Sequence, residues 1–412
     1  MKQVLVLTGR YLPNMSPNGV CINNIIQNLP SNKYKVTCIC YDDNEKYLDE
    51  KIDIIRVSRG PIKSLLYRFE KKKNGLGRLI FKMANIIDYI IEIPFLITWP
   101  WDDPLYTYKV YKIADKLQKK MQFDYIIAIH MPISSLIVAN KLKKKYPQIK
   151  YIPYFLDSLS GGRPNSIFSE KWNRKKKLKW EIKLLPNADR IVVMEASRKH
   201  HEKYSAAKKY YQRFVYLDIP LLCKQDIKMY NNPFLDEQYT YVTFAGSALE
   251  PMRNMQFFVK LAQEVNKIDS SIMFVIIGQC NCRKVFESDC IKYFEPMPHD
   301  QLLPYLQNSS VFINMGVTIP SAISGKIFEY MTFGKPIIST YSITNEPCIP
   351  YLKQYPNSLL IDENESDITK IANIMIDFIY NTKGRLIEYE TIKRIYKNNL
   401  PETFIKEIFE KD

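Results

Sequence analysis

The densest chemistry in the chain lies in one run, Ser324-Gly325-Lys326-Ile327-Phe328-Glu329-Tyr330-Met331-Thr332-Phe333-Gly334-Lys335-Pro336-Ile337-Ile338. A strand-like run and a Gly/Pro loop precede it and another strand-like run follows, so a helix over 324–333 is predicted. Ser324 suits the N-cap, and the free backbone N–H groups of the turn it opens, with the positive end of the helix dipole, form an anion site. Lys326 puts a cation in that first turn, where the dipole alone disfavours one; an anion such as a diphosphate explains it. Glu329, a turn further on, could accept hydrogen bonds from both hydroxyls of a ribose. Taken singly, Glu329 reads as a solvated helix residue, Lys326 and Lys335 as surface charges, and Arg253, another candidate cation, as a cap of its own turn.

An α/β framework is needed to hold such a run. Strand-like segments fall at 3–8, 35–41, 52–57, 125–129, 151–156 and 190–194, with amphipathic helical patterns over 20–29 and 133–146 between them. The rhythm pauses over 221–238 and restarts with strands at 239–245, 272–277, 291–294, 311–314 and 336–340 and helices over 252–265 and 301–308. Strands alternating with helices imply parallel sheets. At 412 residues, two cores are expected: an N-terminal domain over 1–220, a second over 221–385, and a helical segment over 386–412 that can lie across the junction. His130 stands at the end of a strand, the edge where open α/β sheets bind ligands.

Composition narrows the class. Residues 1–220 hold 40 Lys and Arg against 20 Asp and Glu, and residues 221–412 hold 19 against 23. The first half therefore carries +20 and the second −4, which points the first toward an anionic partner. The eight cysteines are scattered, as reduced thiols in the cytoplasm would be, and the short apolar run after Met1 is no secretory signal. Cys280, Cys282, Cys290 and His299 match no common zinc spacing. Between 61 and 101 the basic residues Lys71, Lys72, Lys73, Arg78 and Lys82 precede an apolar run with Phe95, Trp99 and Trp101. That combination fits attachment to an anionic membrane surface, or equally a core helix beside a basic turn. The run 171–179, flanked by Trp172 and Trp180, reads as a solvated helix face more readily than as a nucleic-acid patch.

The segment 324–338 resembles the retaining GT-B glycosyltransferases of the large family four, in the subgroup with a Lys-x-x-Glu-Tyr-x-x-x-Gly-Lys-Pro signature. Phe244-Ala245-Gly246, Arg253-Asn254, Asn187 to Val193 and Asp124 to His130 support it. The resemblance implies two facing Rossmann-like domains with a cleft between them, a nucleotide-sugar donor held mainly by the second and a glycan or lipid-linked acceptor by the first. It implies that Glu329 holds the ribose, that Arg253 and Lys326 neutralise the diphosphate, that Gly246, Ser324 and Gly325 line the donor site, that Gly19 lets the loop after the first strand approach the donor, and that His130 lies near the reacting sugar. Catalytic roles would fall to His130, Arg253 and Lys326, with no metal, no cofactor and no nucleic-acid partner. Polysaccharide synthesis at the inner membrane face would be the setting. Two positions depart from the pattern: Ser321 replaces the first of a usual pair of glutamates eight apart, and Ser247 replaces a usual Arg. A catalytically silent homologue and a GT-B sugar-nucleotide epimerase are the competing readings.

Overall fold

Runs such as Val4–Leu7 and Ile126–Ile129 have no polar face, so they are expected to form strands covered on both sides. The computed structural model describes all residues except 14, 45–46, 71–74, 163–166, 225–229, 235, 237, 319–322 and 412; Ser321 and Lys71 to Lys73 thus lie outside the described residues. The chain divides into two compact units, Met1–Pro220 with Pro401–Asp412, and Leu221–Leu400.

The first unit is built on a parallel seven-stranded sheet, order β3-β2-β1-β4-β5-β6-β7. Its strands are β1 (Lys2–Leu7), β2 (Tyr34–Tyr41), β3 (Ile52–Val57), β4 (Tyr125–Ile129), β5 (Lys150–Phe155), β6 (Ile191–Met194) and β7 (Phe214–Leu217). Strand order reverses between β1 and β4, which pair with Val4 opposite Tyr125. The second unit has a parallel six-stranded sheet, order β10-β9-β8-β11-β12-β13, with its reversal between β8 and β11. These strands are β8 (Thr240–Ala245), β9 (Ile272–Ile277), β10 (Ile291–Phe294), β11 (Val311–Met315), β12 (Ile337–Tyr341) and β13 (Ser358–Asp362). Such reversal points open a crevice at the carboxyl ends of the strands.

Two strands escape the sequence pattern, β7 and β13. Both are edge strands whose residues are mostly half-buried, so neither shows the continuous apolar run of a central strand. The segment expected as one helix over 386–412 is divided. The helix Tyr389–Ile395 stays with the second unit, whereas Pro401–Ile405 begins a new helix that returns to the first sheet. There Phe409 packs against Tyr34 and Tyr125 at centroid distances of 5.0 and 4.9 Å, and Phe404 against Tyr154 at 5.1 Å.

The interruption after β3 forms the helices Pro61–Phe69 and Gly75–Glu92 and a short turn, Ile93–Ile97. Lys63 bridges Asp88 and Glu92, the charges that break the apolar run. Trp99 and Trp101 are tied inward, their indole N–H groups donating to Asn173 and Thr107; the exposed apolar surface belongs instead to the helix Gly75–Glu92 and the turn after it. Among the described residues no helix is long and apolar enough to cross a membrane.

Candidate functional site

The second unit gathers most of the predicted site residues at the carboxyl ends of β8 and β11. Gly246 and Gly278 end β8 and β9 in close contact: a Cβ on Gly278, whose φ is +137°, would lie 2.0 Å from the Gly246 carbonyl. Only glycine permits that approach. Arg253 stands just before the helix Met255–Ile268, whose N-cap is Asn254. Its Nε donates to the Ser247 carbonyl at 2.9 Å and its guanidinium lies over the Phe244 ring, 5.2 Å from the centroid. The residue is 8% exposed, yet Nη1 has no partner among the described residues. Burial pushes the guanidinium pKa down, while Tyr330, Cys348, Glu346 and Glu363 push it back up. Capping the local turn accounts for Nε and leaves Nη1 free.

The signature helix is shorter than its pattern predicts, Lys326–Thr332. The Ser324 N-cap is a correction: Gly325 holds the cap position with a helical backbone and no side-chain cap, and the Ser324 amide donates to Cys348 Sγ at 3.4 Å. The Ser324 carbonyl accepts from the Ile327 amide at 3.2 Å, so a tight turn held against Leu221, where a Cβ on Gly325 would approach to 2.7 Å, takes the place of a serine cap. Tyr330 locks the helix to β8, its hydroxyl accepting from the Ala245 amide at 2.8 Å. Lys335, read as a surface charge, instead donates to the carbonyls of Leu306, Gln307 and Ser309 at the end of the helix His299–Asn308, where a cation meets the negative dipole end. Burial pushes its pKa down to about 8.

Glu329 carries a partner on each oxygen, His299 Nε2 at 2.7 Å and Lys326 Nζ at 2.6 Å. Burial pushes its carboxyl up, but the bonds and charges of His299 and Lys326 prevail and hold the pKa at about 2. It is therefore ionised and already oriented. His299 is 30 residues distant in sequence, so the helical spacing that picks out Lys326 cannot reveal it.

Gly19 and His130 belong to the first unit. Gly19 corrects another expectation: it lies in the first turn of the helix Pro17–Asn28 rather than in the preceding loop, and a Cβ there would stand 2.6 Å from the Arg10 carbonyl. Its bareness serves that local contact. His130 follows β4 at the reversal point, buried and stacked on Phe155 at 5.5 Å. Its Nδ1 has no partner among the described residues, and burial pushes its pKa down to about 4, so the ring is neutral near pH 7.

The first unit also holds a buried polar group that the sequence pattern does not single out. The Glu181 carboxylate accepts from the Ser160 amide at 2.9 Å, and Ser160 Oγ meets His200 Nε2 at 2.8 Å. Asn173, Lys177, Glu181 and Leu184 form the buried stripe of the helix Glu170–Leu184, so the basic run is solvated on its other sides only. That stripe repeats at helical spacing and is visible in the sequence, although the density of lysine masks it. No group of three or more His, Cys, Asp or Glu side chains able to hold a metal occurs among the described residues. Cys282 and Cys290 are core residues, and His299 is engaged by Glu329.

Residues 239–380, within the second unit, match the family model described as Glycosyl transferases group 1. No curated protein matches the chain. Solved structures share its fold at low identity. Alr3699/HepE of Anabaena, a complex with UDP-glucose, is 12% identical with a TM-score of 0.52 over 99% of this chain and 96% of that one. TarM is 10% identical with a TM-score of 0.60 over 99% and 98%. A putative UDP-N-acetylglucosamine 2-epimerase from Listeria monocytogenes is 14% identical with a TM-score of 0.57 over 100% and 98%. Two Rossmann-like parallel-sheet domains in one chain, shared with these proteins over nearly the full length, define the GT-B fold.

Proposed function

We propose that this chain is a metal-independent, retaining glycosyltransferase that moves a sugar from a nucleoside-diphosphate sugar to a glycan or lipid-linked acceptor at the cytoplasmic face of a membrane, in polysaccharide synthesis. The observation that carries the reading is the buried Nη1 of Arg253, without a partner among the described residues, at the reversal point of the second sheet, inside the segment that matches glycosyl transferases group 1. A buried donor without an acceptor costs about 1–3 kcal/mol, and a diphosphate would remove that cost. Lys326 Nζ, with two N–H groups beyond the one given to Glu329, adds a second cation. Together they stabilise the diphosphate as the sugar–oxygen bond breaks and the bonding pair leaves with it, the work a metal would otherwise do. The acceptor hydroxyl then bonds to the same face of the oxocarbenium-like sugar and its proton passes to the departing phosphate. Glu329 holds the ribose.

The membrane setting rests on the helix Gly75–Glu92. Leu79, Met83, Ile86 and Ile90 recur at helical spacing and are each more than half exposed, beside Arg78 and Lys82. An apolar stripe of that kind with flanking cations suits an anionic lipid surface.

Calorimetry with UDP, GDP, ADP and their sugar conjugates tests the donor site. Glu329→Ala is expected to weaken donor binding about ten-fold or more while leaving the fold intact by circular dichroism; unchanged donor affinity would remove its role. The Listeria protein shares the fold, so an epimerase is the rival, and it would convert UDP-N-acetylglucosamine to its epimer without releasing UDP. A transferase releases UDP.

A further inference from the structure

Two carboxylates of the second domain, one buried and one half-buried, act on Arg253. Glu346 is 1% exposed; its Oε2 accepts from the Cys348 amide at 2.7 Å and the Val317 and Ile349 amides also favour the ionised carboxylate, whereas Oε1 has no partner within hydrogen-bond geometry among the described residues. Glu363, after β13, accepts from Thr340 Oγ1 on its Oε1 at 2.7 Å and feels the Asn254 side chain, while Oε2 has no partner within hydrogen-bond geometry among the described residues. Glu346 sits in the loop after β12, and the Ser324 amide bonded to Cys348 Sγ clips that loop to the turn opening the Lys326 helix. Arg253 comes from the loop after β8. Three loops at one sheet edge therefore bring together a buried guanidinium and a buried carboxylate, each with an atom that has no partner among the described residues, near enough for the carboxylate to raise the guanidinium's proton affinity.

Opposite charges that are buried, close and unpaired are costly unless something between them satisfies both. The ligand must offer an anion to Arg253 and a hydroxyl to Glu346. A sugar joined to a diphosphate has both, one bond system apart. We propose that Glu346 is a specificity-determining residue of the donor site, its Oε1 accepting a hydroxyl of the sugar whose diphosphate meets Arg253. This rests on the glycosyltransferase reading above and adds to it the residue that addresses the sugar. Glu363, held by Thr340, also raises the proton affinity of Arg253.

The test separates nucleotide from sugar. Wild-type protein is titrated with UDP, UDP-glucose, UDP-galactose, UDP-N-acetylglucosamine and the GDP and ADP counterparts. Binding of none of them overturns the function reading itself. Where a conjugate binds, Glu346→Gln is expected to weaken it about ten-fold while leaving the free nucleoside diphosphate within about two-fold. Equal loss of both ligands, or of neither, identifies Glu346 as an organiser of its loop only, and the inference fails while the donor reading stands. Should Glu346→Gln not fold, singly deoxygenated analogues of the bound conjugate replace it. A loss of about ten-fold on removing one particular hydroxyl supports the sugar contact, and a loss below two-fold at every position overturns it.

Discussion

Glu181 shows how a single buried carboxyl ties pH to stability. Burial pushes its pKa from 4.5 up to about 7, against the bonds from Ser160 and the charge of Lys177. Folding thus favours the protonated form: that contribution is complete below pH 4.5 and is lost as pH rises through about 7, worth about 3–4 kcal/mol in all. Glu181→Gln keeps an acceptor for the Ser160 amide and removes the titration. Relative to wild type, the variant is expected to gain about 2–3 kcal/mol at pH 8 over its standing at pH 5, read from denaturant midpoints of the transition that carries the first domain. Parallel curves at the two pH values would mean that Glu181 is ionised throughout. His130 and His201 act in the opposite direction: burial holds both at about 4, so their contribution is complete above pH 6.5 and falls away toward pH 4. Residues of this kind divide by how local their signal is. Lys326 and Glu329 are three apart on one helix and can be read from spacing, whereas His299, Glu346 and the Ser160–His200 pair reach their places through sheet topology that no local pattern encodes.

Among the elements, the chain's return to the first sheet carries a measurable load. Phe404 and Phe409 are nearly fully buried, and Arg190 holds the carbonyls of Glu407 and Lys411, so the last turns belong to the core around β1, β4 and β5. Phe409→Ala opens a cavity between Tyr34 and Tyr125 and is expected to cost about 3–5 kcal/mol, with the loss confined to the first domain in hydrogen exchange. Protection that falls first in the second domain would contradict that assignment. The helical pattern over 386–412 shows an amphipathic segment but not its division, because the break rests on Pro401, which opens a helix as readily as it ends one. Central strands were legible because burial on both faces demands continuous apolar runs; β7 and β13, half-wet at the edges, have no such demand to reveal them.

The whole molecule carries its charge unevenly, +20 over residues 1–220 and −4 over 221–412, and the exposed apolar stripe of Leu79, Met83, Ile86 and Ile90 lies in the basic half. Charge alone would attract any polyanion. An apolar stripe alone would bind neutral and anionic bilayers alike. Joined, they predict a surface that requires both: sedimentation with vesicles containing phosphatidylglycerol, little with phosphatidylcholine, and weakening as ionic strength rises and the attraction is screened. Replacing Ile86 and Ile90 together by Asp, at exposed positions, is expected to lower vesicle partition about ten-fold or more while UDP-sugar binding stays as in wild type, since the proposed donor site is built from residues of the second domain. Lowered partition with unchanged donor affinity would assign the two tasks to separate domains of one chain. Equal partition of the variant and wild type would leave the stripe free for a protein partner and withdraw the membrane from the proposed function.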